Sequence, residues 1–411
     1  MLPSSRTPPA DRSQGRLAHH FRMAPGGKSK DRRRQPKGAA QIKSASQTVG
    51  QNASPVTIDL YQRLLDVFGN AFSPRFPLET SLIQQVKQHL YNREFEKAFG
   101  RREYLEAYAV RWSSSRALGY LNIFVDISAH LVRHFKGTGE AGAMESVTDG
   151  SPNELDMQDE MSQSPTSVNC VLNVICLGGG AGAEIVGLGG YLKYLQASAI
   201  PGFCLPRIEI TAVDIANWSG VVHALEDNVT TALPLPKYAS EKVKAANVPL
   251  VCRDDYSVTF HQCDLLGIDI HQLGSLVKDS KLITLMFTLN ELYSSSIPQT
   301  TKFLLSLGSL VKRGTLLLVV DSPGSYSTVE LGNSGNNSID GAEKTGRKYP
   351  MHWLLDHTLL ETSSEGKPDQ QHAKWKKLVS DDSRWFRLPD GLRYPIELEN
   401  MRYQIHLYEL A

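Results

Sequence analysis

Apolar residues recur along this 411-residue chain with two periods, and the period changes near residue 170. Before that point the spacing is three to four. Leu60, Leu64, Leu65 and Phe68 share one helical stripe, with Ser54 and Pro55 as predicted cap and first turn. Leu82, Ile83, Val86 and Leu90 repeat the stripe after Pro77. A third helix runs through Phe95 and Phe99 to Gly100, a predicted C-cap. Tyr104, Leu105, Tyr108 and Trp112 continue the pattern, followed by Leu118, Leu121, Phe124 and Val125. Residues 55–136 therefore predict an all-helical N-terminal region.

Beyond residue 170 apolar runs alternate with helical stripes. Strands are predicted at 171–177, 207–213, 256–262, 282–287 and 314–320. Helices are predicted at 183–195, around 218–225 and at 300–310. This alternation predicts βαβ units, and continuous apolar strands predict a parallel sheet covered on both faces. The pattern reverses at the end. Tyr394, Ile396 and Leu398 alternate with polar residues, as do Met401, Tyr403, Ile405 and Leu407. Two such segments around a short polar turn predict an antiparallel hairpin. The polar stretches 331–348 and 362–374 read as surface loops.

Charge adds two further segments. The whole chain carries a formal net charge of +1, but residues 1–43 hold eleven Lys/Arg against Asp11 and Asp31. Residues 1–54, rich in Ser, Pro and Gln as well, predict a disordered basic arm that seeks phosphate. Residues 28–34 (KSKDRRR) have the composition of a nuclear-import or RNA-contacting element. Residues 137–169 contain seven acids and neither Lys nor Arg, which predicts a flexible acidic linker. The expected organisation is thus an arm at 1–54, helices at 55–136, a linker at 137–169 and an α/β domain at 170–411.

At 41% apolar residues the chain can bury a sizeable core, yet no apolar run approaches the ~20 residues of a membrane span. The first residues contain no apolar signal core, so secretion is not expected. Five cysteines, with no C-x-x-C pair, argue against a disulfide framework or zinc site and for a reducing compartment: nucleus, nucleolus or cytoplasm.

The candidate chemistry begins at ICLGGGAGAE, residues 175–184, where the first strand runs into glycines. Gly178, Gly180 and Gly182 suit either a dinucleotide or the methionine end of S-adenosylmethionine (SAM). In such a sheet the ligand lies beyond the carboxyl ends of the strands. Asp214 ends the second strand, where a carboxylate can accept from ribose hydroxyls. Glu184 follows the glycines directly; it would repel a pyrophosphate but suits a sulfonium and an ammonium. Asp264, after the third strand, is placed to meet an adenine edge, or else to serve a turn. These acids and the reversed hairpin favour SAM over a nicotinamide dinucleotide.

The segments LNVICLGGGAGAEIVGLGGYL, ITAVDIANW, LMFTLNELY, GTLLLVVDSPGSYS and YPMHWLLDHTLL resemble the fungal family of 25S rRNA uridine-N3 methyltransferases, as does YAVRWSSSRALGY at 108–120. The resemblance spans about 55–411. It implies a Rossmann-like class I methyltransferase fold: a seven-stranded, mostly parallel sheet with a C-terminal antiparallel hairpin. It also implies SAM as cofactor and rRNA or a pre-ribosomal large-subunit particle as partner. Methylating uridine N3 requires removal of an imide proton, so a base should sit after the fourth strand. Glu291 is the expected proton acceptor or acceptor-site hydrogen-bond partner; the alternative is a helix-terminal acid. Asn290 is expected to hold the uracil edge or the amino-acid end of SAM, or else to cap a helix. Tyr293 or Phe287 would stack on the base, or fill the core. Arg111 and Arg116 suit phosphate or the SAM carboxylate, or a structural pairing. Asp321 and Tyr326 follow the fifth strand, where they would line the acceptor mouth or else reflect loop polarity alone. Two other functions share these features: a nicotinamide-dependent oxidoreductase, and a catalytically silent fold that binds RNA during ribosome assembly.

Overall fold

Alternation along the central strands sends side chains to two opposite apolar layers. In strand β1 (Val171–Leu177), Val174 and Cys176 join one buried cluster, while Ile175 and Leu177 join another. The computed structural model describes residues 55–134, 170–198, 205–323, 328–331, 347–361 and 375–411. The expected basic arm, the acidic linker, Cys204, Tyr326 and most of the two polar loops lie outside the described residues.

Strands β2 (Arg207–Asp214), β3 (Tyr256–Gln262), β4 (Leu282–Met286) and β5 (Leu316–Asp321) extend β1 into a parallel sheet. A small two-stranded sheet, β6 (Thr328–Leu331) with β7 (Arg347–Pro350), follows. The last strands are β8 (Trp375–Phe386) and β9 (Met401–Leu410). The main sheet runs β3-β2-β1-β4-β5-β9-β8, with β9 antiparallel to both neighbours. This is the seven-stranded arrangement of a Rossmann-like class I methyltransferase, parallel except for its C-terminal hairpin.

The N-terminal region is helical: α1 (Ile58–Ala71), α2 (Thr80–Tyr91), α3 (Phe95–Ala98), α4 (Arg102–Tyr108), α5 (Ser114–Asp126) and α6 (Ser128–Leu131). The first cap is Thr57 rather than Ser54; its hydroxyl accepts from the Leu60 N–H at 3.3 Å. A π-helical turn at Ala109–Ser113 joins α4 to α5. Helices α7 (Ala183–Ser198) and α8 (Ser219–Thr230) cover one face of the sheet together with α1 and α5. Helices α9 (Glu241–Ala246), α10 (Ile270–Val277), α11 (Leu289–Ser295), α12 (Ile297–Leu310) and α13 (Met351–Asp356) complete the chain. Of these, α10, α11, α12 and α13 line the second apolar cluster. No helix among the described residues is long and apolar enough to cross a membrane.

The hairpin is real, but its first strand is not the one expected. Residues 394–399 are a loop. Their alternation arises because Tyr394, Ile396 and Leu398 lie extended against the helical region. The Tyr394 hydroxyl donates to the Val110 carbonyl at 3.1 Å, and the Glu399 N–H donates to Ser115 Oγ at 3.1 Å. Their polar groups thus find helical partners instead of a ladder. The true partner of β9 is the charged, twice-shifted β8, whose polar composition hides it.

Candidate functional site

The β1–α7 loop turns on glycines that neighbouring side chains press closely. Gly178 and Gly182 adopt φ of 79° and 83°, a region that disfavours other residues. A Cβ at Gly180 would lie 2.2 Å from the Trp218 ring, and one at Gly182 would lie 2.1 Å from Leu225. The Gly180 N–H donates to Asp214 Oδ2 at 3.2 Å, while the Ala216 N–H donates to Oδ1 at 3.1 Å. Asp214 therefore ties the glycine loop to the turn after β2. These residues assemble at the carboxyl ends of β1 and β2, where the sequence places them.

Trp218 is the neighbour that sequence reasoning missed as a site residue. Its ring is 2% exposed and packs 5.2 Å from Phe99 and 5.8 Å from Tyr108, centroid to centroid. Tyr108 in turn lies 5.0 Å from Trp112. The helical region thus roofs the glycine loop with aromatic rings. The Trp218 indole N–H approaches Asp214 and lowers its carboxyl, but it meets no partner at hydrogen-bond geometry. The available signal was position: DIANW puts this tryptophan four residues after the strand-2 acid.

Three carboxyls converge here in low dielectric. Glu184, in the first turn of α7, is 4% exposed, and burial pushes it up to about 7. It accepts from Thr284 Oγ1 on β4 at 3.3 Å. Burial also pushes Asp214 up to about 6, against the N–H groups that hold its anion. Asp321, at the end of β5, behaves alike. Burial raises it to about 6, although it accepts from the Asn290 N–H at 3.0 Å and the Ser322 N–H at 2.7 Å. The cation acting on Glu184 and Asp321 is Arg116. Burial opposes its charge, yet Tyr108, Tyr120 and Asp321 hold it protonated above the ordinary range. Its Nη1 donates to the Tyr108 hydroxyl at 2.6 Å.

The end of β4 carries backbone strain. Phe287 has φ of 58°, in the left-handed region that a bulky residue rarely occupies. Its N–H donates to the Val320 carbonyl at 2.7 Å, and the Arg116 guanidinium sits 4.7 Å from its ring centroid. Phe287 and Arg116 line an open cleft of about 140 Å³, together with Trp112, Met401 and Arg402. Helix α11 begins directly afterwards. Asn290 lies within the first turn of α11, whose N-cap is Thr288, and its backbone N–H donates to Asp321 Oδ2 at 3.0 Å. Glu291 is half-buried; burial raises its carboxyl against the pull of Arg93, and Oε2 makes no hydrogen bond.

Three expected residues stand apart from this centre. Tyr293 is 1% exposed within the second apolar cluster, so its ring fills the core and is not available to stack on a base. Arg111 pairs with Glu399 and donates to the Glu397 carbonyl at 3.2 Å, which pins the 387–400 loop to the helices. Asp264 is exposed and accepts from the Leu266 N–H at 3.0 Å, a local turn contact.

The donor set fits SAM. Glu184 and Asp214 are held partly neutral by burial, and a ligand bearing a sulfonium and an ammonium would restore their charge. The buried Trp218 N–H faces Asp214 without reaching hydrogen-bond geometry. The left-handed glycines give the backbone the tight turn that a close ligand needs.

Residues 68–409 match the family model for SAM-dependent methyltransferases. The chain is similar to the 25S rRNA (uridine(2843)-N(3))-methyltransferase of Saccharomyces cerevisiae, with 30% identity over 368 residues, covering 84% of this chain and 85% of that protein. Among solved structures it is similar to a SAM-dependent methyltransferase from Methanosarcina mazei, at 8% identity and a TM-score of 0.31, covering 59% of this chain and 94% of that one. It is also similar to an O-methyltransferase family protein from Burkholderia thailandensis, at 12% identity and a TM-score of 0.30, covering 86% and 73%.

Proposed function

The chain belongs to the family of SAM-dependent methyltransferases, and from that premise we propose that it methylates N3 of a uridine in large-subunit ribosomal RNA. The observation that carries this reading is the half-buried Glu291 carboxylate in the first turn of α11, just beyond β4, with its raised affinity for a proton and its unbonded Oε2. The yeast relative's named activity supports the same acceptor atom.

SAM supplies an electrophilic methyl group when bound. The glycine loop (Gly178, Gly180, Gly182) and Glu184 would receive its amino-acid end and Asp214 its ribose hydroxyls. Glu291 takes the N3 proton of the uracil as the new N–C bond forms, so no net charge builds on the base. Asn290 orients the uracil edge. Phe287, held in its strained conformation by the Val320 carbonyl, offers a ring face to the base in place of Tyr293. Arg116 stays charged behind that ring and supports its position. Exclusion of water by the aromatic roof strengthens each of these contacts.

The basic arm, outside the described residues, adds sequence-independent affinity for rRNA or a pre-ribosomal particle and fits an enzyme that visits the nucleus or nucleolus. The test is direct. Purified protein is incubated with SAM and large-subunit rRNA, and the digested nucleosides are weighed by mass spectrometry. Formation of 3-methyluridine is expected. SAM binding without any 3-methyluridine would instead favour a silent, RNA-binding assembly factor.

A further inference from the structure

The outer end of the β8–β9 hairpin carries an aromatic side chain that the catalytic reading does not use. Trp385 of β8 is 50% exposed and lies directly opposite Arg402 of β9. The Arg387 guanidinium sits 4.9 Å from its ring centroid, and that of Arg402 sits 5.8 Å away. Arg402 Nε donates to Ser383 Oγ at 3.0 Å, which fixes its reach. Among the described residues neither Arg387 nor Arg402 pairs with a carboxylate, whereas neighbouring Arg384 is engaged by Asp381 and Asp126.

The hairpin end beneath is packed against the helices. Phe386 and Met401 are buried, Phe386 against Tyr61 at 6.0 Å between centroids and Met401 against Gly119 of α5. Arg402 also lines the cleft that holds Phe287 and Arg116. One residue therefore joins the exposed tryptophan to the acceptor end of the site. Glu399, which shares that cleft, is paired with Arg111.

We infer that Trp385, Arg387 and Arg402 form a platform for the single-stranded RNA that flanks the acceptor uridine. An unpaired base stacks on Trp385, and the two guanidiniums meet the adjoining phosphates. A uridine presented for N3 chemistry must leave its pair, so its neighbours are available as unstacked bases. Half the indole stays open to solvent, and both flanking cations lack carboxylates that would compete with phosphate. This inference rests on the proposed activity toward RNA.

The test uses the full chain and a fluorescent single-stranded oligouridylate of about ten nucleotides. Trp385→Ala is expected to weaken binding about 5- to 150-fold, the range of one lost base stack. Trp385→Phe should retain most of the affinity. Arg387→Ala and Arg402→Ala should each flatten the salt dependence by about one phosphate contact. SAM affinity, read by calorimetry, should stay unchanged in all variants and reports that they are folded. Oligouridylate binding that is undetectable in the wild type, or indifferent to Trp385→Ala, overturns the platform; a protein ligand retained only by wild type would then mark the patch as a protein contact. The two readings separate in the methylation assay. Binding through Trp385 without 3-methyluridine in rRNA leaves the platform and removes the catalysis. Methylation with a KM for RNA that Trp385→Ala does not raise leaves the catalysis and removes the platform.

Discussion

Glu184→Gln should make the ligand-free protein more stable while weakening its hold on SAM. The carboxyl stands in the folded chain at about 7 against an ordinary 4.5, and burial is the principal cause. A group whose folded pKa is raised binds its proton more tightly in the native state. Its contribution is harmless below about pH 4.5 and becomes a penalty as pH rises toward 7. At full ionisation the penalty amounts to about 3 kcal/mol. Gln is neutral at every pH, matches the shape of Glu and can still accept from the Thr284 hydroxyl. Urea unfolding of wild type and variant without SAM, at pH 5 and pH 8, measures the difference. The variant should gain on the wild type by about 2 kcal/mol between those two pH values. SAM titration at pH 8 should show at least a tenfold loss of affinity in the variant. A stability difference that does not change with pH would refute the argument, because it would mean that Glu184 is not desolvated. Unchanged SAM affinity would remove Glu184 from the cofactor site.

The remaining expectations concern chemistry and the loop. Glu291→Gln should lower kcat about 10²- to 10⁴-fold with nearly constant SAM affinity; a large loss of SAM binding would move Glu291 to the cofactor side. SAM affinity of the wild type should fall as pH drops through about 7 and then 6, because Glu184 and Asp214 take up protons there, and calorimetry between pH 8 and pH 5.5 measures it. Gly182→Ala combines a φ of 83° with a Cβ 2.1 Å from Leu225 and should cost about 1–3 kcal/mol, lowering the thermal midpoint by several degrees. An unchanged midpoint would show that the loop relaxes freely.

The central strands were legible because they are covered on both faces, so their apolar runs are unbroken and bounded by glycine or acid. Glycine spacing and strand ends placed Gly178, Gly180, Gly182, Glu184 and Asp214 around the carboxyl ends of β1 and β2. Burial was not legible, since Glu184 looks like a solvated first-turn acid until α5, β4 and the loop close over it. Tyr293 and Phe287 illustrate the same limit. Both are aromatics near one strand end, and only tertiary packing sends one into the core and leaves the other beside Arg116. The roof of Phe99, Tyr108 and Trp218 joins residues more than a hundred positions apart, a distance that local patterning does not reach. Strand β8 was hidden because an edge strand of lysines, aspartates and arginines carries no apolar period.

The close seating of α5 and α1 on α7 has an evolutionary reading. A Cβ at Gly190 would lie 3.0 Å from Leu64, and one at Gly187 would lie 3.2 Å from Tyr120, so the helices fit as one interlocked block. The catalytic sheet is therefore not a cartridge that can be lifted out and joined to another recognition module. Exchange would strip a wall from the core and uncover α7 along its small-residue face. Lineages that inherit this architecture should change targets by altering exposed rims and loops, with the helical region and sheet descending together as a single heritable unit.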